Sequence, residues 1–144
     1  MTASSDAPPP PWGPGFLRLT AWPYRAEMAV ATVVVFVLVF YWRLFVVRDL
    51  NLPLAVGWLV FPDVAAFLPI GLASRGRSSW PAWGPSVYNA FHSFLTFGAV
   101  LLLWSVVVGH IEWPLLGWAG HITADRAAGF YLRAGPPVPI EESR

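Results

Sequence analysis

The chain has 144 residues, of which 56% are hydrophobic and 12% charged, with a net charge of +1 and no cysteine. Soluble domains carry about 25% charged residues, so this composition leaves too little polar surface for a water-soluble globule. The small net charge gives no reason to expect a nucleic-acid partner, and the missing cysteines exclude disulfides, thiolate-bound zinc and thiol catalysis.

The N-terminal stretch 1–16 contains Pro8 to Pro11 in a row. It lacks an apolar core behind a basic start and reads as a disordered Pro-rich cytoplasmic tail, not a secretory signal. Residues 17–133 read as an all-α, polytopic membrane domain: a four-transmembrane-helix bundle with spans at about 26–47, 52–72, 87–108 and 113–132. Each is close to the roughly 20 apolar residues that cross a bilayer. Nine Trp and four Tyr suit the membrane–water boundaries.

Arg48 to Asn51 joins the first two spans, and Pro53 opens the second. Pro62 and Pro69 interrupt its pattern. Ser74 to Pro85, rich in Ser, Gly and Pro, is a loop. Gly109 to Glu112 is a tight turn, and Pro114 opens the last span. Residues 134–144 form a flexible C-terminal tail. Arg18, Arg25, Arg75, Arg77, Arg133 and Arg144 fall on one side of a four-span topology, and Arg43 and Arg48 on the other. The positive-inside rule then places both termini in the cytoplasm of a multi-pass protein.

Charged side chains within spans cost about 2.5–3.5 kcal/mol each on insertion scales, so each needs a reason. His121 and Asp125 are four apart and share one helix face, a spacing at which two side chains hold one metal ion. The plain alternative is a His–Asp hydrogen bond, or Asp125 and Arg126 pairing with a neighbouring helix. Asp63 follows Pro62, which frees a backbone carbonyl one turn upstream; its plain alternative is a lone membrane Asp simply bonded to a backbone group. His92 lies one turn after Asn89, a residue placed to orient it; its plain alternative is an interfacial His bonded to a loop carbonyl. Glu27, at the start of span one, suits the positive end of the helix dipole and is an additional candidate ligand. His110 lies in the outer turn and stands apart. At about 1.5 Å per residue, Asp63, His92, His121 and Asp125 fall within about 10 Å of depth. Two His and two carboxylates suit Zn²⁺, Mn²⁺ or Fe²⁺.

Three motifs in order carry a family resemblance: Pro62-Asp63; Tyr88-Asn89-Ala90-Phe91-His92-Ser93; and Gly120-His121-Ile122-Thr123-Ala124-Asp125-Arg126-Ala127-Ala128-Gly129-Phe130. Over roughly Leu17 to Arg133 the chain resembles the bacterial membrane-protein family called domain of unknown function 4260, and Glu27 looks like that family's acidic residue at the start of the first helix. The chain departs from the pattern in its longer Pro-rich N-terminus and its longer Ser/Arg/Trp-rich middle loop, neither at a motif position. The resemblance implies a bacterial inner-membrane protein and assigns no activity. The order Asp63, His92-Ser93, His121/Asp125 is also similar to that of small membrane-bound, metal-dependent hydrolases of the type induced in the SOS response.

Three readings compete. In the first, Asp63, His92, His121 and Asp125 are metal ligands and catalytic residues of a membrane-embedded hydrolase, with Arg126 and Asn89 binding a lipid or lipid-linked substrate. In the second, the same groups relay protons or serve transport, which four helices would support as a homo-oligomer. In the third, the polar cluster joins the helices of a non-catalytic subunit with a membrane partner. The expected surroundings are the lipid bilayer in every case.

Overall fold

The computed structural model describes residues 22–76 and 80–133; both expected tails lie outside the described residues. Every regular element among the described residues is helical. α1 (Trp22–Val47) and α2 (Leu52–Ala73) are each long and apolar enough to cross a membrane. α3 (Gly84–Phe91) and α4 (Phe94–Val108) together pass the same test, but they are bent by 52° at their junction. α5 (Leu116–Ala128) follows a single 3₁₀ turn at Trp113–Leu115.

Local chemistry explains most of the boundaries. α1 is α-helical to Phe36, widens into π-type turns over Val37–Val47, and ends where Arg48 adopts a left-handed conformation at φ 63°. The Asn51 side chain caps α2 by accepting from the Leu54 N–H at 3.1 Å, with Pro53 in the first turn, where no intrahelical donor is required. Gly129, at φ 99°, ends α5 by returning its N–H to Asp125 O. The Arg25 guanidinium reaches across from α1 to the last α5 carbonyls, Ala127 O at 2.9 Å and Ala128 O at 3.3 Å. A cation is well placed at that negative helix end.

Two features differ from four equivalent continuous spans. The expected helix over 87–108 is broken at His92-Ser93. The last segment is also short: with its 3₁₀ turn α5 is roughly 25 Å long, against about 30 Å of hydrocarbon. α5 packs chiefly on α1 and α2, while α3 packs on α2 and α4 touches α5 more lightly. Gly117, Trp118, Ala119, Gly120, Ile122, Thr123 and Arg126 of α5 are all buried. Neighbouring helices, not lipid, therefore surround much of α5, which relaxes the demand for a long apolar sequence. Close approach needs small residues. A Cβ at Gly117 would lie 2.5 Å from Ala55 O of α2, and one at Gly120 would meet Val35 and Phe36 of α1 at 3.3 Å.

Trp118 anchors the interior, stacked on Trp58 and edge-on to Phe61 and Phe97. The outward faces carry exposed Val33, Val37 and Tyr41 on α1, Val60, Val64 and Leu68 on α2, and Leu102, Leu103 and Val106 on α4. Continuous apolar surface of this extent is costly in water and natural in a bilayer.

Candidate metal centre

The helix break builds the site. Ser93 takes an extended conformation and its Oγ accepts from the Leu95 N–H, starting α4 afresh. Breaking a helix frees carbonyls that require other donors inside a membrane. α5 supplies them: Trp118 Nε1–H donates to Phe91 O at 2.7 Å, and Arg126 Nη2 donates to His92 O at 2.9 Å. These bonds tie the α3–α4 junction to the helix that carries His121 and Asp125.

His92 is fixed from several directions. Its ring stacks on Tyr88, with centroids 3.9 Å apart and planes 14° from parallel. Its Nδ1 lies 2.9 Å from Tyr88 O. A carbonyl only accepts, so the Nδ1 atom carries a proton, which leaves Nε2 turned into the cluster. Nε2 of His92 lies 3.3 Å from Asp63 Oδ1, 3.3 Å from His121 Nε2 and 3.6 Å from Asp125 Oδ2. Nε2 of His121 in turn lies 3.6 Å from Asp63 Oδ1 and 3.5 Å from Asp125 Oδ2.

α2, the α3–α4 break and α5 thus bring all four expected residues together. Asp63, His92 and His121 lie close enough to hold a metal ion. Nitrogen and oxygen ligands about 2.0–2.1 Å from a four-coordinate zinc stand roughly 3.3–3.4 Å apart, and the three edges here are 3.3, 3.3 and 3.6 Å. Asp125 faces the two imidazoles from beside that triad. Converging lone pairs repel unless a proton or cation lies among them.

Burial is graded. The His92 side chain is 2% exposed, His121 12%, Asp125 24% and Asp63 51%. Asp63 turns one oxygen to the histidines and is the open side of the site. Exposed Val60 and Phe67, three residues before and four after it, share its face of α2, so the opening lies on an apolar outer face.

The other expected residues occupy different places. Arg126 is 6% exposed, and its guanidinium also donates to Phe130 O at 3.2 Å. Its described hydrogen bonds are therefore to backbone carbonyls. Asn89 grips Arg133: its Nδ2 donates to Arg133 O at 2.8 Å, and its Oδ1 accepts from the Arg133 N–H at 2.7 Å. Glu27 is exposed near the start of α1 and is outside the triad. His110 lies 3.6 Å from Glu112 in the turn after α4. Sequence reasoning placed Tyr88 and Ser93 in the motif around His92 without giving either a role, and it did not single out Trp118; the signal for Tyr88 was its position one helical turn before His92.

No family model matches the chain, and neither the curated proteins nor the solved structures contain a match to it. The resemblance to domain of unknown function 4260 therefore rests on its three motifs alone.

Proposed function

We propose that this protein is a membrane-embedded, metal-dependent hydrolase of a lipid or lipid-linked ester, built on the plan of domain of unknown function 4260, with four membrane-crossing segments and both termini in the cytoplasm of a bacterial inner membrane. The observation that carries the reading is the convergence of Asp63, His92 and His121 around a His92 ring whose Nδ1 is bound to Tyr88 O and whose Nε2 faces inward. Three protein ligands and one open position are the usual arrangement of catalytic zinc, and Mn²⁺ or Fe²⁺ would accept the same donors.

A divalent ion held there would lower the pKa of bound water toward about 7. The protein supplies the rest. Tyr88 O keeps His92 in its ligating tautomer. Asp125, beside both imidazoles, would take the proton that water loses as its oxygen bonds to phosphorus or to the carbonyl carbon, and would return it to the oxygen that departs as the ester bond breaks. The apolar outer face around Asp63 supports a substrate arriving from the bilayer.

The test is metal analysis of the protein purified in detergent without a His tag, alongside Asp63→Ala and His121→Ala. About one equivalent of Zn, Mn or Fe in the wild type, lost in both variants while they remain monodisperse, is expected. Activity is then sought on phosphate and carboxylic esters of lipids. A wild type that binds none of these metals even after reconstitution would refute the reading and return the cluster to proton transfer or helix association.

A further inference from the structure

Arg126 is committed to carbonyls, so a charged substrate needs another cation near the triad. Arg133 has the required placement. Its backbone is held at both N–H and C=O by the Asn89 carboxamide, 44 residues earlier in the chain. Its guanidinium lies 4.6 Å over the Trp80 ring and 5.2 Å over the Tyr88 ring. Such stacking fixes a guanidinium while leaving its N–H fork available. No carboxylate stands within ion-pair distance of Arg133 among the described residues.

The platform is shared with the site. Tyr88 carries Arg133 on its ring and stacks on His92 at 3.9 Å. The two spacings, 5.2 and 3.9 Å, limit the guanidinium to about 9 Å from the His92 ring, within reach of one head group. Arg133 is exposed and lies beyond α5 on the side where α2 ends and α3 begins, on the boundary of the apolar region. A planar fork at such a boundary matches phosphate oxygens two at a time.

Resting on the hydrolase reading for its role in turnover, we infer that Arg133, held by Asn89 on the Trp80–Tyr88 platform, is a substrate-positioning residue that binds a phosphate monoester group next to the Asp63–His92–His121 triad. The phosphate belongs to a lipid head group or to a free phosphate, and the two sources are separable by experiment.

The full chain in detergent is titrated with three probes: a short-chain phosphatidic acid, inorganic phosphate, and a phosphatidylcholine of the same chain length. Binding is read by native mass spectrometry for the wild type, Arg133→Gln, Arg133→Lys and Trp80→Leu. Phosphatidic acid is expected to bind in preference to phosphatidylcholine, about tenfold more weakly in Arg133→Gln and with partial recovery in Arg133→Lys. Trp80→Leu tests the platform with the charge retained and is expected to fall between wild type and Arg133→Gln. Inorganic phosphate binding as tightly as the lipid identifies the free anion as the source. Equal affinity of wild type and Arg133→Gln for phosphatidic acid, or equal affinity for the two lipids, overturns the proposal.

Metal analysis of the same wild-type and Arg133→Gln samples separates the two readings. Arg133-dependent binding in a wild type that holds no metal leaves the phosphate site standing and removes the hydrolase. Bound metal with no effect of Arg133 removes the phosphate site alone. Where turnover is measured, Arg133→Gln raises KM for anionic lipid with metal content unchanged, and a purely structural role would not move KM selectively.

Discussion

Replacing Arg126 by Met removes a buried guanidinium and keeps an apolar stem of similar length. The change leaves His92 O, now bonded at 2.9 Å, without its donor at the helix break. Hydrogen bonds to charged groups contribute about 1.5–3 kcal/mol, and an orphaned buried acceptor costs about 1–3 kcal/mol. Phe130 O, the second acceptor, lies on an exposed residue and regains other partners. The net expectation is a loss of about 2 kcal/mol, roughly a thirtyfold shift in the folded fraction. Because the same peptide unit positions the His92 ring, metal affinity is expected to fall in parallel. The assay is reversible unfolding in mixed detergent micelles, paired with zinc titration, for the wild type, Arg126→Met and Arg126→Lys. Lys offers one compact ammonium in place of a fork and should recover only part of the loss. An Arg126→Met protein as stable as the wild type within about 0.5 kcal/mol would refute the claim that this arginine holds the broken helix. Unchanged stability and metal content with lost binding of an anionic substrate would instead return Arg126 to a substrate-binding role.

Gly117→Val is expected to push α5 from α2, since its Cβ would meet Ala55 O at 2.5 Å; overpacking costs about 1–3 kcal/mol, and thermal melts with metal analysis would register both effects. Ser93→Ala removes the α4 cap bond to Leu95 N and should cost about 1 kcal/mol by the same melts; an unchanged melting temperature would show that Arg126 and Trp118 alone sustain the break. Metal retention should fall as pH is lowered: the ligated state holds fewer protons than the free one, so acid favours release from His92 and His121. Dialysis at stepwise lower pH followed by metal analysis checks this, and retention independent of pH would argue against imidazole ligation.

Hydropathy and composition are local quantities, and they were enough to expect an all-helical, membrane-suited chain with long apolar segments at about 26–47 and 52–72, where α1 and α2 form over Trp22–Val47 and Leu52–Ala73. The cost of charge in lipid also made Asp63, His92, His121 and Asp125 conspicuous without coordinates. The His121–Asp125 face follows from helical spacing alone. Their meeting with Asp63 and His92 does not, because two residues 29 apart become neighbours only through the packing of α2, α3 and α5.

The break between α3 and α4 was illegible for the same reason. Val87 to Val108 is apolar throughout its later part, and nothing local forbids one helix; the break is sustained by Trp118 and Arg126, donors 27 and 34 residues from the carbonyls they satisfy. Tertiary structure likewise reassigned Arg126 to the backbone and Asn89 to Arg133. It also allowed α5 to be short, since a helix enclosed by protein need not match the bilayer. The sequence determined that the chain folds into apolar helices and which polar residues demand an explanation. Only the fold decided which of them face one another, because that depends on satisfying every buried polar group at once.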